Sequence, residues 1–121
     1  MGTSSFSAIV RPRARSTTPV IDMRGDIDGN AEDALDRAYT EAAGIGGGAV
    51  HLNFTEVGFI NSTGIALIVG LLARARRDHR EVTAYGLSGH YREIFQITRL
   101  ADFVRMFPDE ASAIAAAPAA T

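Results

Sequence analysis

The chain has 121 residues, 46% of them hydrophobic, a formal net charge of −2 and no cysteine. That length suits one domain with its own core, and the charge balance calls for neither nucleic acid nor membrane insertion. The missing cysteines exclude disulfides, cysteine zinc sites and thiol chemistry, and every basic residue is arginine.

The opening Met1-Gly2-Thr3-Ser4-Ser5-Phe6-Ser7 lacks the apolar run of a signal peptide. Phe6 stands where a myristoylation pattern needs a hydroxyl. Residues 1–6 are expected to be a flexible N-terminus, 7–117 the domain and 118–121 a tail. A first strand is expected over Ser7 to Arg15, with Pro12 restricting it to an edge. Arg11, Arg13 and Arg15 would share its solvated face. Thr17 to Arg24 reads as a second strand. The breaker-rich Gly25-Asp26-Ile27-Asp28-Gly29 reads as a turn.

Asn30 is expected to cap a first helix, with Glu32 and Asp33 in its first turn. Ala31, Ala34, Leu35, Ala38 and Ala42 repeat at helical spacing, and Gly44 is the stop. The following glycines, Gly46 to Gly48, resemble a phosphate-binding loop only superficially. They follow a helix and open a strand, the reverse of a dinucleotide fingerprint. Ala49 to Phe54 is a third strand.

From Ser62 to about His79 a second helix is predicted. Its first half is apolar nearly all round (Ile65, Leu67, Ile68, Val69, Leu71, Leu72), which implies burial on most sides. The run Gly64 to Ala73 is about half the length that spans a bilayer. Arg74, Arg76, Arg77 and Arg80 sit at the negative end of the helix dipole. Glu81 to Leu87 is a fourth strand, and Ser88 caps a third helix with Tyr91, Ile94, Phe95 and Thr98 on one face. Phe103 to Phe107 is a short fifth strand. Pro108-Asp109-Glu110 starts an alanine-rich helix that Pro118 ends. Strands alternating with helices imply an α/β fold, a mostly parallel sheet of about five strands with about four helices. The two N-terminal strands, with no helix between them, are expected to be antiparallel.

The stretch Val57 to Gly64 joins an apolar strand to the long helix through Asn61, a side-chain cap, the hydroxyls of Ser62 and Thr63, and the small Gly64. Such a junction aims unpaired backbone N–H groups and the positive end of the dipole outward. A phosphate is tolerated there. Ser62 is the candidate acceptor, with Thr63 as the alternative and plain helix capping as the structural reading of both.

Taken in order, these residues resemble the STAS family, and within it the bacterial anti-sigma factor antagonists. Arg24 to Asp28 is similar to the family's G-E-L-D turn. Val50 to Gly64 is similar to its strand plus D-S-[ST]-G signature. Glu93 to Leu100 is similar to its third helix and following leucine. The resemblance implies a non-enzymatic cytoplasmic regulator with no catalytic residue, cofactor or metal. Unphosphorylated, it would bind an anti-sigma factor that is itself a serine-kinase ATPase, freeing the sigma factor. Phosphorylation at Ser62 would end that binding, and a metal-dependent serine phosphatase would restore it. The residues implicated in partner binding are Asp26, Asp28, Asn53, Phe59, Asn61, Ser62, Thr63 and Gly64. A homodimer stays open.

Three positions depart from the family pattern. Asn61 and Asn53 replace usual aspartates, and Arg99 replaces a frequent glycine. A left-handed Arg99 would cost roughly 1–2 kcal/mol, so a different cap is expected there. The amide changes favour an alternative from inside the family, a scaffold that is not phosphorylated, in a stress-signalling complex or a lipid or anion transporter. A receiver domain would need an acceptor aspartate where Asn53 stands, and a lysine. A serine hydrolase would need glycine at Ile60 and a positioned histidine. His51, His79 and His90 lie in separate elements without ligand-like spacing.

Overall fold

The computed structural model describes residues 6–11, 18–45 and 48–116. Its elements in order are β1 (Ser7–Arg11), β2 (Val20–Ile27), α1 (Glu32–Ala43), β3 (Ala49–Ile60), α2 (Ser62–Arg77), β4 (Glu81–Tyr85), α3 (Gly89–Ile97), β5 (Arg105–Phe107) and α4 (Glu110–Ala115). The five strands form one sheet in sequential order. β1 pairs antiparallel with β2, and every other pairing is parallel. This is the α/β architecture expected, with the antiparallel pair at the N-terminus.

Sequential strand order has a consequence for the layers. Right-handed crossovers that all step the same way deposit their helices on the same face. Accordingly α1, α2 and α3 pack on one side, where Leu35, Ile68, Leu72 and Phe95 meet Ile21, Leu52 and Val82. Phe54 and Phe95 meet edge to face, ring centres 6.0 Å apart. The opposite face carries α4, whose Ala113 packs on Val20, Tyr85 and Phe107.

Several expected boundaries move. β2 continues to Ile27, through the residues expected to turn. Gly25 makes this workable, because its φ of +99° is open to glycine and strained for other residues. β3 likewise runs on to Ile60. Between the pairs Asp22–Asn53 and Ile27–Ile60 the register slips twice, so β3 holds two more residues than β2 over that span. β4 stops at Tyr85 and β5 starts only at Arg105. Arg13, Arg15 and Pro118 lie outside the described residues.

The caps also differ in part. Asp28, not Asn30, starts the first helical region: its Oδ1 accepts from Asn30 N–H at 2.9 Å, opening a 3₁₀ turn that leads into α1. Ser88 caps α3 as expected, accepting from Tyr91 N–H. Arg99 does adopt the left-handed conformation, with φ 68° and ψ 12°. Its N–H reaches Gln96 O at 3.2 Å, and its guanidinium holds Asp102 at 2.9 Å. The tight reversal returns Leu100 to the core, and burial of a leucine is worth about as much as the strain costs.

Finally, α2 is not buried all round. Ile68, Leu71, Leu72 and Ala75 face the core, Ile65 and Leu67 are half-buried, and Val69 is 45% exposed. A single helical layer on a sheet always leaves each helix one outward face.

Candidate functional site

The β3–α2 junction is fixed mainly by backbone contacts. Asn61 N–H donates to Ile27 O at 3.2 Å, which ties the end of β3 to the end of β2. The Asn61 side chain accepts from Gly64 N–H at 2.8 Å, and its carbonyl accepts from Ile65 N–H at 2.9 Å. The side chain therefore satisfies one of the donors that a helix start leaves unpaired, and the carbonyl takes the first bond of the helix itself. Gly64 is buried flat against Ile27: a Cβ there would overlap the Ile27 carbonyl oxygen. Glycine is needed at this position for close approach, not for its dihedral freedom.

Tyr91 of α3 holds the junction from below. Its hydroxyl accepts from Ile60 N–H at 2.9 Å and lies 3.5 Å from Ile60 O. A buried tyrosine usually finds such a partner. That was the available sequence signal, but it does not say which backbone group the hydroxyl reaches. Tyr91 was legible as a core-face residue of α3 and not as a clamp on the junction.

With Asn61 as the cap, Ser62 and Thr63 occupy the first helical positions and are both exposed. Phe59, just before them, is 54% exposed. The end of β2 and the turn that follows it come alongside. The Asp26 carboxylate lies 3.1 Å from where a Gly58 Cβ would stand, and a Gly29 Cβ would lie 3.6 Å from the Thr63 methyl. Asp26, Asp28, Phe59, Asn61, Ser62, Thr63 and Gly64 therefore gather at one end of the sheet. From residue 25 to residue 36 there are five acids and no base, so the local charge is negative.

Asn53 is not part of this cluster. It pairs with Asp22, five β2 positions before Ile27, which at about 3.3 Å per residue puts it roughly 17 Å from the junction. Its side chain points to the α4 face and donates to Asp22 Oδ1 at 2.8 Å. There it joins a second polar group that sequence reasoning did not find. Arg11 clasps Asp22 through two nitrogens, at 2.8 and 3.0 Å, and Glu110 through two, at 3.0 and 2.9 Å. Tyr85 donates to Glu110 at 2.8 Å. The Arg11 hydrogen bonds hold the Asp22 carboxyl below its ordinary range against an opposing desolvation effect, with Asn53 adding to the lowering. Burial first, then the bond to Glu110, pushes the Tyr85 hydroxyl well above its ordinary value.

Residues 10–107 match the family model described as "Mlab, STAS domain". The chain belongs to the STAS domain family. The anti-sigma-B factor antagonist of Listeria monocytogenes is 30% identical over 88 residues, covering 69% of this chain and 74% of that protein. The antagonist of the same name from Staphylococcus aureus is 26% identical over 86 residues, covering 71% and 80%. An anti-sigma factor antagonist from Mycobacterium paratuberculosis shares the fold at a TM-score of 0.77 and 18% identity, covering 93% of this chain and 94% of that one. The phosphorylated form of SpoIIAA from Bacillus shares it at 0.67 and 21%, covering 90% and 97%.

This STAS protein is thus of the anti-sigma factor antagonist type, a class of regulators and not of enzymes. Among its described residues, no group of three or more histidines, aspartates or glutamates is placed to hold a metal ion. No helix there is long and apolar enough to cross a membrane.

Proposed function

We propose that the protein is a cytoplasmic anti-sigma factor antagonist whose binding is switched by phosphorylation of Ser62. The observation that carries this reading is the division of labour at the junction. Asn61 does the capping, so the Ser62 hydroxyl is exposed and not required by the fold. The alternative that Ser62 serves only as a cap loses its support.

The energetics favour a change in binding over a change in fold. A phosphoserine adds about −1.5 to −2 charges. The helix dipole offsets about 0.3–1 kcal/mol of local cost, so the host survives. A partner that covers Ser62 also covers the exposed Phe59 and Val69. Removing a dianion from water at such an apolar contact costs several kcal/mol, and ~4 kcal/mol is roughly a thousandfold in affinity. The partner this implies is an anti-sigma factor of the serine-kinase type, with a metal-dependent phosphatase reversing the mark.

The test is intact mass after incubation with that kinase and ATP. Wild type and Thr63→Ala should each gain one phosphate, and Ser62→Ala none. The reverse pattern would move the acceptor to Thr63. A second reading, a scaffold subunit that is not phosphorylated, is favoured by Asn61 standing where the family has aspartate. Tight binding with no phosphate on any of the three proteins would select it.

A further inference from the structure

β1 is an outer strand of the sheet, and among the described residues no strand pairs with its outer side. Native edges of this kind are usually blunted by exposed charge. The one charged side chain of β1, Arg11, is instead turned inward onto Asp22 and Glu110. Ile9, at the centre of the strand, is 65% exposed. Ala8 and Val10 point the other way, into the helical layer, and are still only half-buried. Apolar surface therefore lies on both faces of this edge.

The helix above it has a matching flank. α1 lies over β1 and β2. On the side toward α2, Asp36 and Thr40 meet Arg74, and the Ala43 carbonyl accepts from Arg80. At about 100° per residue, the opposite flank, toward β1, carries Ala34, Arg37 and Glu41. Ala34 is half-buried, while Arg37 and Glu41 are exposed. Among the described residues neither of these two charges is in an ion pair.

We propose that the β1 edge and this flank of α1 form a two-fold interface with a second copy of the chain. A two-fold axis perpendicular to the sheet beside Ile9 makes the two β1 strands antiparallel and joins the two sheets into one. Ser7 then stands opposite Arg11 of the second copy, Ala8 opposite Val10, and Ile9 opposite Ile9. The central pairs are apolar and no like charges face each other, which is what a self-pairing strand requires. Strands about 4.8 Å apart put two helices that lie over β1 and β2 roughly 10 Å from each other, an ordinary packing distance. The small Ala34 leaves room for that approach. With the axis near Tyr39, Arg37 of each copy meets Glu41 of the other, so the flank is complementary to itself in charge. The same symmetry keeps both helical layers on one side and sends the two Ser62 junctions to opposite ends of the joined sheet. Both junctions stay open, so the dimer does not depend on the antagonist reading and presents its site twice.

The test is sedimentation equilibrium of the full chain over a range of concentrations. Wild type should dimerise. Ile9→Lys sets two ammonium groups against each other at the axis and should raise the dissociation constant about tenfold or more. Its circular dichroism should match that of wild type, because position 9 is exposed. Arg37→Glu and Glu41→Arg should each weaken the dimer about threefold or more at low salt and less at high salt. The double variant Arg37→Glu/Glu41→Arg restores opposite charges across the axis and should return to within about twofold of wild type. A wild type still monomeric at about 1 mM, where even a weak interface shows, would overturn the proposal. A dimer indifferent to Ile9→Lys would move the interface off β1 and overturn it equally. A double variant no tighter than the single ones would overturn the α1 contact.

Discussion

Two polar regions of this molecule are built on opposite plans. At the β3–α2 junction the fixing contacts are buried backbone groups, one asparagine cap and the Tyr91 hydroxyl, while Ser62 and Thr63 stand free of them. On the other face, Arg11, Asp22, Asn53, Tyr85 and Glu110 tie one another together across four strands and α4. Every charge in the second group is engaged, so a modification there would have to break a network first. The first group holds its hydroxyls on a rigid base without using them. A switch residue needs this combination: fixed surroundings and an uncommitted side chain.

The sharpest way to break the junction is Gly64→Ala. The added Cβ overlaps the Ile27 carbonyl, and with backbone on both sides neither can yield cheaply. A loss of about 3 kcal/mol or more is expected by urea unfolding. A loss under about 1 kcal/mol would mean that the helix start is not anchored on β2.

Tyr91→Phe is the next largest. It leaves the buried Ile60 N–H without its acceptor and should cost about 1–3 kcal/mol. Hydrogen exchange at Ile60 should rise with it. Unchanged protection there would move the clamp elsewhere.

Arg11→Met probes the other region and should cost up to about 1 kcal/mol at neutral pH. The limit is low because the Arg11 and Asp22 side chains are 41% and 34% exposed. The sign with pH follows from the lowered Asp22 carboxyl. A depressed folded value gives stability that is present above the ordinary carboxylate range and lost as pH falls through the folded value. The difference between variant and wild type should therefore shrink as pH is taken from neutral to well below the ordinary carboxylate range. A difference that is the same at both pH values would show that Arg11 acts by packing alone.

Ser62→Glu should be the mildest, within about 0.5 kcal/mol of wild type. Its melting curve should nearly superimpose on that of wild type even as partner affinity collapses. A large loss of stability would return Ser62 to a structural role.

Much of the fold was legible because it depends on local pattern. The helical stripe through Leu35, Ala38 and Ala42 and the Ser88 cap each rest on residues close in sequence. So does the strand–junction–helix order around Ser62. Elements ran longer or shorter where a distant partner decided. β3 continues past Phe54 because β2 is there to pair with it as far as Ile27. Arg99 takes its left-handed turn because Leu100 has a core to enter. Asn53 was grouped with Ser62 by motif, and the two bulges of register between them show how far apart one strand can hold two residues.

The chain alone determined its alternating architecture, its antiparallel first pair, the helix start at Ser62 and the family it resembles, because periodicity, capping and breakers act within a few residues. Only the tertiary structure decided that Asn61 N–H would bond to Ile27 and that Tyr91 would brace the junction. The same is true of Arg11, which joins Asp22 to a glutamate 99 residues away. Those outcomes depend on which backbone groups are buried together, and that follows from packing between elements that no local pattern specifies.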